Sequence, residues 1–167
     1  MPLDVRGLTP LLQVYDMPTA VRFYRDVPGF EVVTTSPLLG EDRFHWALLR
    51  LGGVELMLNT AYEFDSERPV PPDPARTAAH QDTGLFIDCP DVDAAYDELR
   101  RKGVTVKAPE VTGYGMKQMY VHDPDGYALC FQWRVELATS MKQAQGADDN
   151  QADTDSGTPR RPHSENR

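Results

Sequence analysis

The chain has 167 residues, 40% of them hydrophobic, and a formal net charge of −9. That length suits one domain with a single sizeable core. The acidity argues against nucleic acid or an anionic membrane surface as the main partner, since both demand clustered Lys and Arg.

In chain order, Leu11–Tyr15 reads as a short strand ended by Asp16. A helix follows, with Asp16 as N-cap, Pro18 in the first turn, and Ala20, Phe23, Tyr24 and Val27 at helical spacing. Gly29 closes it, and Phe30–Val33 is the next strand. Strands from Phe44 to Leu51 and from Val54 to Asn59 flank Gly52-Gly53, a two-residue hairpin signal. The order then repeats. Leu85–Asp88 is a strand, and Asp91 caps a helix with Val92, Ala95, Tyr96 and Leu99 on its inner face, ended by Gly103. Strands are predicted near Val104–Val106, Met116–Val121 and Ala128–Trp133, the last two joined by Asp123-Pro124-Asp125-Gly126. The capping aspartates Asp16 and Asp91 stand 75 positions apart, so a βαβββ unit occurs twice.

This organisation predicts one domain at 7–134, made of modules 7–61 and 82–134 joined by a linker at 62–81. The linker is rich in Pro and charge and reads as a loop, either a lid over a site or a tether. The tail at 138–167 is too polar to offset its ordering entropy and is expected to be disordered. Met1–Arg6 has no apolar run of the kind a signal peptide needs, and no stretch has transmembrane length. Cys89 and Cys130 are not in a CxxC arrangement, which suits a reducing compartment, although two cysteines suffice for one bridge. A cytoplasmic protein is expected, with neither nucleic acid nor membrane as partner.

The segment Val14-Tyr15-Asp16 followed by Met17–Phe30 resembles the opening of vicinal oxygen chelate proteins. That superfamily includes glyoxalase I, fosfomycin and bleomycin resistance proteins, and extradiol dioxygenases. Asp91–Tyr96 resembles the start of their second helix, and Val121–Tyr127 matches their closing turn. The likeness spans residues 9–134, and the order and spacing of the motifs are more specific than any one of them. It implies an α+β fold in which two βαβββ modules form a cup-shaped mixed sheet.

In metal-dependent members each module supplies two ligands, a His or Gln at the start of the first strand and usually a Glu on the last. Carried over by register, these positions fall on Thr9, Glu55, Gly84 and Cys130. Only Glu55 is of the usual type. A thiolate with one carboxylate and no imidazole is a poor site for a catalytic divalent ion, so no metal or other cofactor is expected.

Strand alternation names the residues sharing a face with these positions. If Gly52-Gly53 is the loop, Arg50 opposes Glu55, Leu48 opposes Met57, and Trp46 opposes Asn59. The candidate ligand-binding set is Gln13, Trp46, Arg50, Met57, Asn59, Phe86, Asp88, Tyr120, Cys130 and Gln132. Such a mixture of apolar and polar side chains suits a small-molecule cavity. Glu55 is the candidate catalytic base, weighed against an ion pair with Arg50. Cys130 reads equally as an inert core residue. Lys117, beside Gly113-Tyr114-Gly115 at the predicted cup mouth, is placed to meet an anionic group.

Two readings follow. In the first the protein is a metal-free, bleomycin-resistance-like homodimer that binds a small organic molecule. In the second it is an enzyme of the same fold, a glyoxalase-like lyase, isomerase or dioxygenase, with a divergent metal site or with Glu55 as base and Gln13 and Asn59 as hydrogen-bond donors. A purely structural module would require the cup to be filled by side chains.

Overall fold

The computed structural model describes residues 3–39 and 43–135. The tail predicted at 138–167 lies outside them. The first module comprises β1 (Leu11–Val14), α1 (Met17–Asp26), β2 (Glu31–Thr35), β3 (Trp46–Leu51) and β4 (Val54–Thr60). A single 3-10 turn at Asp65–Glu67 and α2 (Pro74–His80) lie in the connection. The second module comprises β5 (Gly84–Asp88), α3 (Val92–Arg101), β6 (Glu110–Val111), β7 (Met116–His122) and β8 (Ala128–Arg134). Each module forms one four-stranded sheet, in the orders β1-β4-β3-β2 and β5-β8-β7-β6. The first strand runs parallel to the last in both, and the other pairings are antiparallel.

Local chemistry explains the elements. Asp16 accepts from Thr19 N at 3.0 Å and Asp91 from Ala94 N at 2.9 Å, so both helices are capped by the predicted aspartates. Such a cap is worth about 1 kcal/mol. Burial alone would raise the Asp16 carboxyl, yet hydrogen bonds from Thr19 and Arg68 hold it below its ordinary value. Gly52, at φ +55°, turns the hairpin, which leaves the predicted register of Trp46↔Asn59, Leu48↔Met57 and Arg50↔Glu55.

Two elements differ from the sequence reading. The strand near Val104–Val106 does not form, and β6 is confined to Glu110–Val111. Val104 and Val106 pack against the core, so their β-branched alternation reports burial rather than ladder pairing. The linker, read as a loop, contains α2. Asp73 caps that helix through Ala75 N at 3.0 Å, and Pro74 occupies the first turn, where its missing N–H costs nothing.

One sheet face in each module carries the core. Leu12, Val14, Leu49, Leu56 and Leu58 are buried with Met17, Ala20 and Tyr24 of α1. Ile87, Met119, Val121, Leu129 and Phe131 are buried with Val92 and Leu99 of α3, and the two groups merge into one cluster. Polar bonds around the Asp-Pro-Asp-Gly turn then fasten the modules together. The Tyr24 hydroxyl donates to Asp123 Oδ2 at 2.9 Å, and Tyr15 N donates to Asp125 Oδ1 at 2.7 Å. Arg76 of α2 bridges Asp125 Oδ1 at 2.7 Å and the Gln13 carbonyl at 2.5 Å. His80 stacks on Tyr127 at 4.1 Å between centroids, with Nδ1 2.8 Å from the Asp125 carbonyl.

Burial pushes the Asp123 carboxyl above the ordinary aspartate value of 3.8, against the hydrogen bonds it accepts. For an acid raised in the native state, the associated stability is fully present below the unfolded pKa and is lost as pH rises through the native one. The neutral variant Asp123→Asn lacks this loss. Its stability relative to the parent chain is therefore expected to rise between about pH 4 and pH 7, read from urea midpoints. A constant difference across that range would contradict the assignment.

Candidate functional site

Among the described residues, no helix packs on the face of each sheet opposite α1 and α3. In the first module it carries Leu11, Gln13, Trp46, Leu48, Arg50, Glu55, Met57 and Asn59, cross-strand neighbours along β1, β3 and β4. In the second it carries Phe86, Asp88, Gln118, Tyr120, Cys130 and Gln132. Phe86 is 58% exposed and Tyr120 44%, the two rings meeting edge to face at 6.5 Å. Trp46, Leu48, Met57 and Asn59 are half-buried. Large apolar groups left open on a sheet face mark a surface that meets something else.

Hydrogen bonds fix the polar groups among these side chains. Asn59 Nδ2 donates to Gln13 Oε1 at 3.3 Å and to the Thr60 carbonyl at 3.0 Å. In the second module Gln118 Nε2 donates to Gln132 Oε1 at 2.9 Å, while Gln118 Oε1 accepts from Tyr114 at 3.2 Å and from Tyr120 at 3.1 Å. Gln118 and Tyr114 were absent from the sequence-based set. Gln118 was findable, since alternation from Tyr120 places it on the same face; Tyr114 reaches the network from the β6–β7 turn, where alternation is silent. Asp88 is exposed beside Phe86.

Cys130 is fully buried although it belongs to the open face. Burial pushes its thiol up, and the Tyr120 hydroxyl beside it is pushed up to about 12 by their hydrogen bond and by burial. A protonated thiol of this kind is neither nucleophile nor ready metal ligand. Lys117 does not meet an anion at the cup mouth. It lies on the helix side and pairs with Asp93 of α3.

The four positions corresponding to family metal ligands do not make a donor set. Thr9 and Glu55 share one shallow depression, but Glu55 Oε1 is taken by Arg50 Nε at 3.0 Å and Nη2 at 2.7 Å. Gly84 offers no donor, and a Cβ there would meet the Phe86 ring at 3.2 Å, so that ring occupies the space of a ligand side chain. Among the described residues no three His, Cys, Asp or Glu side chains converge. The residues present do not fit the divalent ion of the metal-dependent relatives.

Arg50 and Glu55 are 50% and 37% exposed, so their ion pair is screened. Glu55→Gln is expected to cost about 1 kcal/mol or less. A double-mutant cycle with Arg50→Met checks this: the double variant should lose less than the sum of the singles. Strict additivity would remove the ion pair as the role of Glu55.

With this geometry in place, sequence and structure agree on the class. Residues 8–131 match the model of the Glyoxalase/Bleomycin resistance protein/Dioxygenase superfamily, and the chain belongs to that family. No curated protein matches the sequence significantly. Among solved structures it is similar to a bleomycin-binding protein from Streptomyces verticillus complexed with copper(II)-bleomycin. The two share 21% identity over 78% of this chain and 97% of that one, with a TM-score of 0.55. It is also similar to TnmS3, an antibiotic binding protein from Streptomyces sp. CB03234, at 22% identity, 80% and 100% coverage, and a TM-score of 0.58. A glyoxalase/bleomycin resistance protein/dioxygenase from Nocardioides gives 19% identity, 82% and 89% coverage, and a TM-score of 0.60. At such identities the likeness defines the fold.

Proposed function

We propose that the protein is a metal-free cytoplasmic binder of a small organic molecule, held on the open sheet faces and enclosed by a second copy of the chain. The observation that carries this reading is the pair of bare faces, each with an aromatic-apolar centre and a fixed polar network. Single-domain proteins cover such faces with another layer. Here the helices already lie on the opposite side, and the five principal cavities of the described residues are not lined jointly by Trp46 and Phe86. A face of one copy set against a face of its partner would give a cup with aromatic walls and amide groups for orientation. The bleomycin and antibiotic binding of the structural relatives supports the ligand class, and the unsuitable donor set supports the absence of a metal.

Bleomycin is the probe with which to begin. Isothermal titration of the chelator-treated protein is expected to give binding that falls at least about tenfold in Phe86→Ala and in Trp46→Ala, each of which strips an aromatic wall. Glu55→Gln should leave it unchanged. Binding restored only by added divalent metal would overturn the metal-free reading. Unaltered binding in both aromatic variants would move the site away from the open faces.

The enzyme reading rests on Glu55 as base, and its ion pair with Arg50, two of whose donors converge on Oε1, disfavours it. Glyoxalase-like turnover that vanished in Glu55→Gln would restore it.

A further inference from the structure

Strand β7 is covered unequally on its two edges. On one it pairs with β8 along its whole length, from Met116↔Arg134 to His122↔Ala128. On the other β6 covers only Lys117 and Gln118. Backbone parity tells which groups the uncovered part presents. Val135 N donates to the Gly115 carbonyl at 3.0 Å and Asp123 N to the Tyr127 carbonyl at 3.0 Å, so odd-numbered positions turn their amides towards β8. Thr112 N donates to the Met116 carbonyl at 2.8 Å, so even-numbered positions face β6. Amide direction alternates along a strand, and the N–H and C=O of Tyr120 and His122 therefore point away from β8.

Continuing the register Glu110↔Gln118 would set Ala108 against Tyr120 and Val106 against His122. Among the described residues no backbone hydrogen bond joins these pairs. Pro109, which lacks an N–H, stands where the two chains part. A cleft of about 740 Å³ opens there, with Phe23, Val104, Val106 and Val121 among its walls and Lys107 and Glu110 on its rim.

We propose that this cleft is a second binding site, distinct from the open faces, which takes a short extended peptide as an added strand on β7. The open amides of Tyr120 and His122 lie about 7 Å apart, the repeat of a strand's own donors and acceptors. Main-chain pairing of this kind supplies affinity, while apolar walls take every second side chain. Charge sets the direction. Neither Lys107 nor Glu110 forms an ion pair among the described residues. Lys107 is level with the His122 end and Glu110 with the Gln118 end, so a peptide with its carboxylate at Lys107 and its amino end towards Glu110 runs parallel to β7. From Gln118 to His122 the cleft is about 14 Å long, room for four or five residues.

Hydrogen exchange on the full chain, resolved by residue, tests this. Without peptide, the amides of Tyr120 and His122 should exchange faster than those of Met119 and Val121, which bond to β8. The probe is a tetrapeptide of alternating threonine and valine with a free amino group and a free carboxylate. At saturation it should slow exchange at Tyr120 and His122 at least about tenfold. N-methylation of the peptide amides that face β7, or Lys107→Glu, should weaken binding by about tenfold, while Phe86→Ala leaves it unchanged. Slow exchange at both amides in the free chain would overturn the proposal, because segment 104–108 would then already cover the edge. Exchange unaffected by the peptide, or equal binding of its N-methylated form, would overturn it as well.

Discussion

Gly126→Val is expected to lower stability by about 3 kcal/mol or more and to shift the melting temperature down by many degrees. Gly126 ends the Asp-Pro-Asp-Gly turn with φ +93°, a conformation that costs a β-branched residue on its own. A second penalty adds to it. A Cβ at this position would lie 2.5 Å from the Thr77 carbonyl oxygen and 2.9 Å from Thr77 Cγ2. The carbonyl belongs to the backbone of α2 and cannot swing aside as a side-chain tip would. To admit the substituent, α2 must move off the turn, which breaks the Arg76 and His80 contacts as well. Thermal unfolding of Gly126→Ala and Gly126→Val checks this. Gly126→Ala should already be impaired, because the clash begins at Cβ. Near-parental melting of Gly126→Ala would mean that α2 does not sit on this turn.

Asp125→Ala should cost about 3 kcal/mol, the usual scale for stripping one partner from a buried, hydrogen-bonded charge. Asp125 is 3% exposed and the Arg76 side chain 17%. Removing the carboxylate orphans the Tyr15 N–H and leaves the Arg76 charge without a counter-ion, holding only the Gln13 carbonyl. Arg76→Ala should cost less, since Asp125 keeps its bond from Tyr15, and burial already pushes that carboxyl towards its protonated form. The double variant should lose clearly less than the sum, since each single change leaves a partner stranded. Additive losses in chemical denaturation would mean that the linker helix and the turn act independently.

The contrast between these two sites and the open faces indicates what a single sequence can reveal. The register Arg50↔Glu55 was legible because a two-residue Gly-Gly loop leaves the flanking strands only one pairing. Helix starts were legible at Asp16 and Asp91 because a cap is a local bond. Helix α2 carried the same signal in Asp73-Pro74, but it was masked by the Pro-rich, charged composition around it. The absent strand at Val104–Val106 was not legible, since alternating valines fit burial against a core as well as they fit a ladder. The Arg76–Asp125 bond spans 49 positions, and nothing local selects which of many charges will pair. For the candidate site, alternation placed the open-face residues correctly with respect to the strands. It missed Gln118, which ties Tyr114, Tyr120 and Gln132 into one network. What meets the faces was beyond the sequence, because strand periodicity reports which side chains share a face and not what lies against them.

Native mass spectrometry of the freshly purified full chain tests the central claim most directly, because one spectrum reads oligomeric state, metal content and any small organic adduct together. A dimer without a divalent ion, gaining mass as bleomycin or a co-purified organic molecule binds, is the predicted result. A monomer holding one equivalent of divalent metal per chain would contradict it.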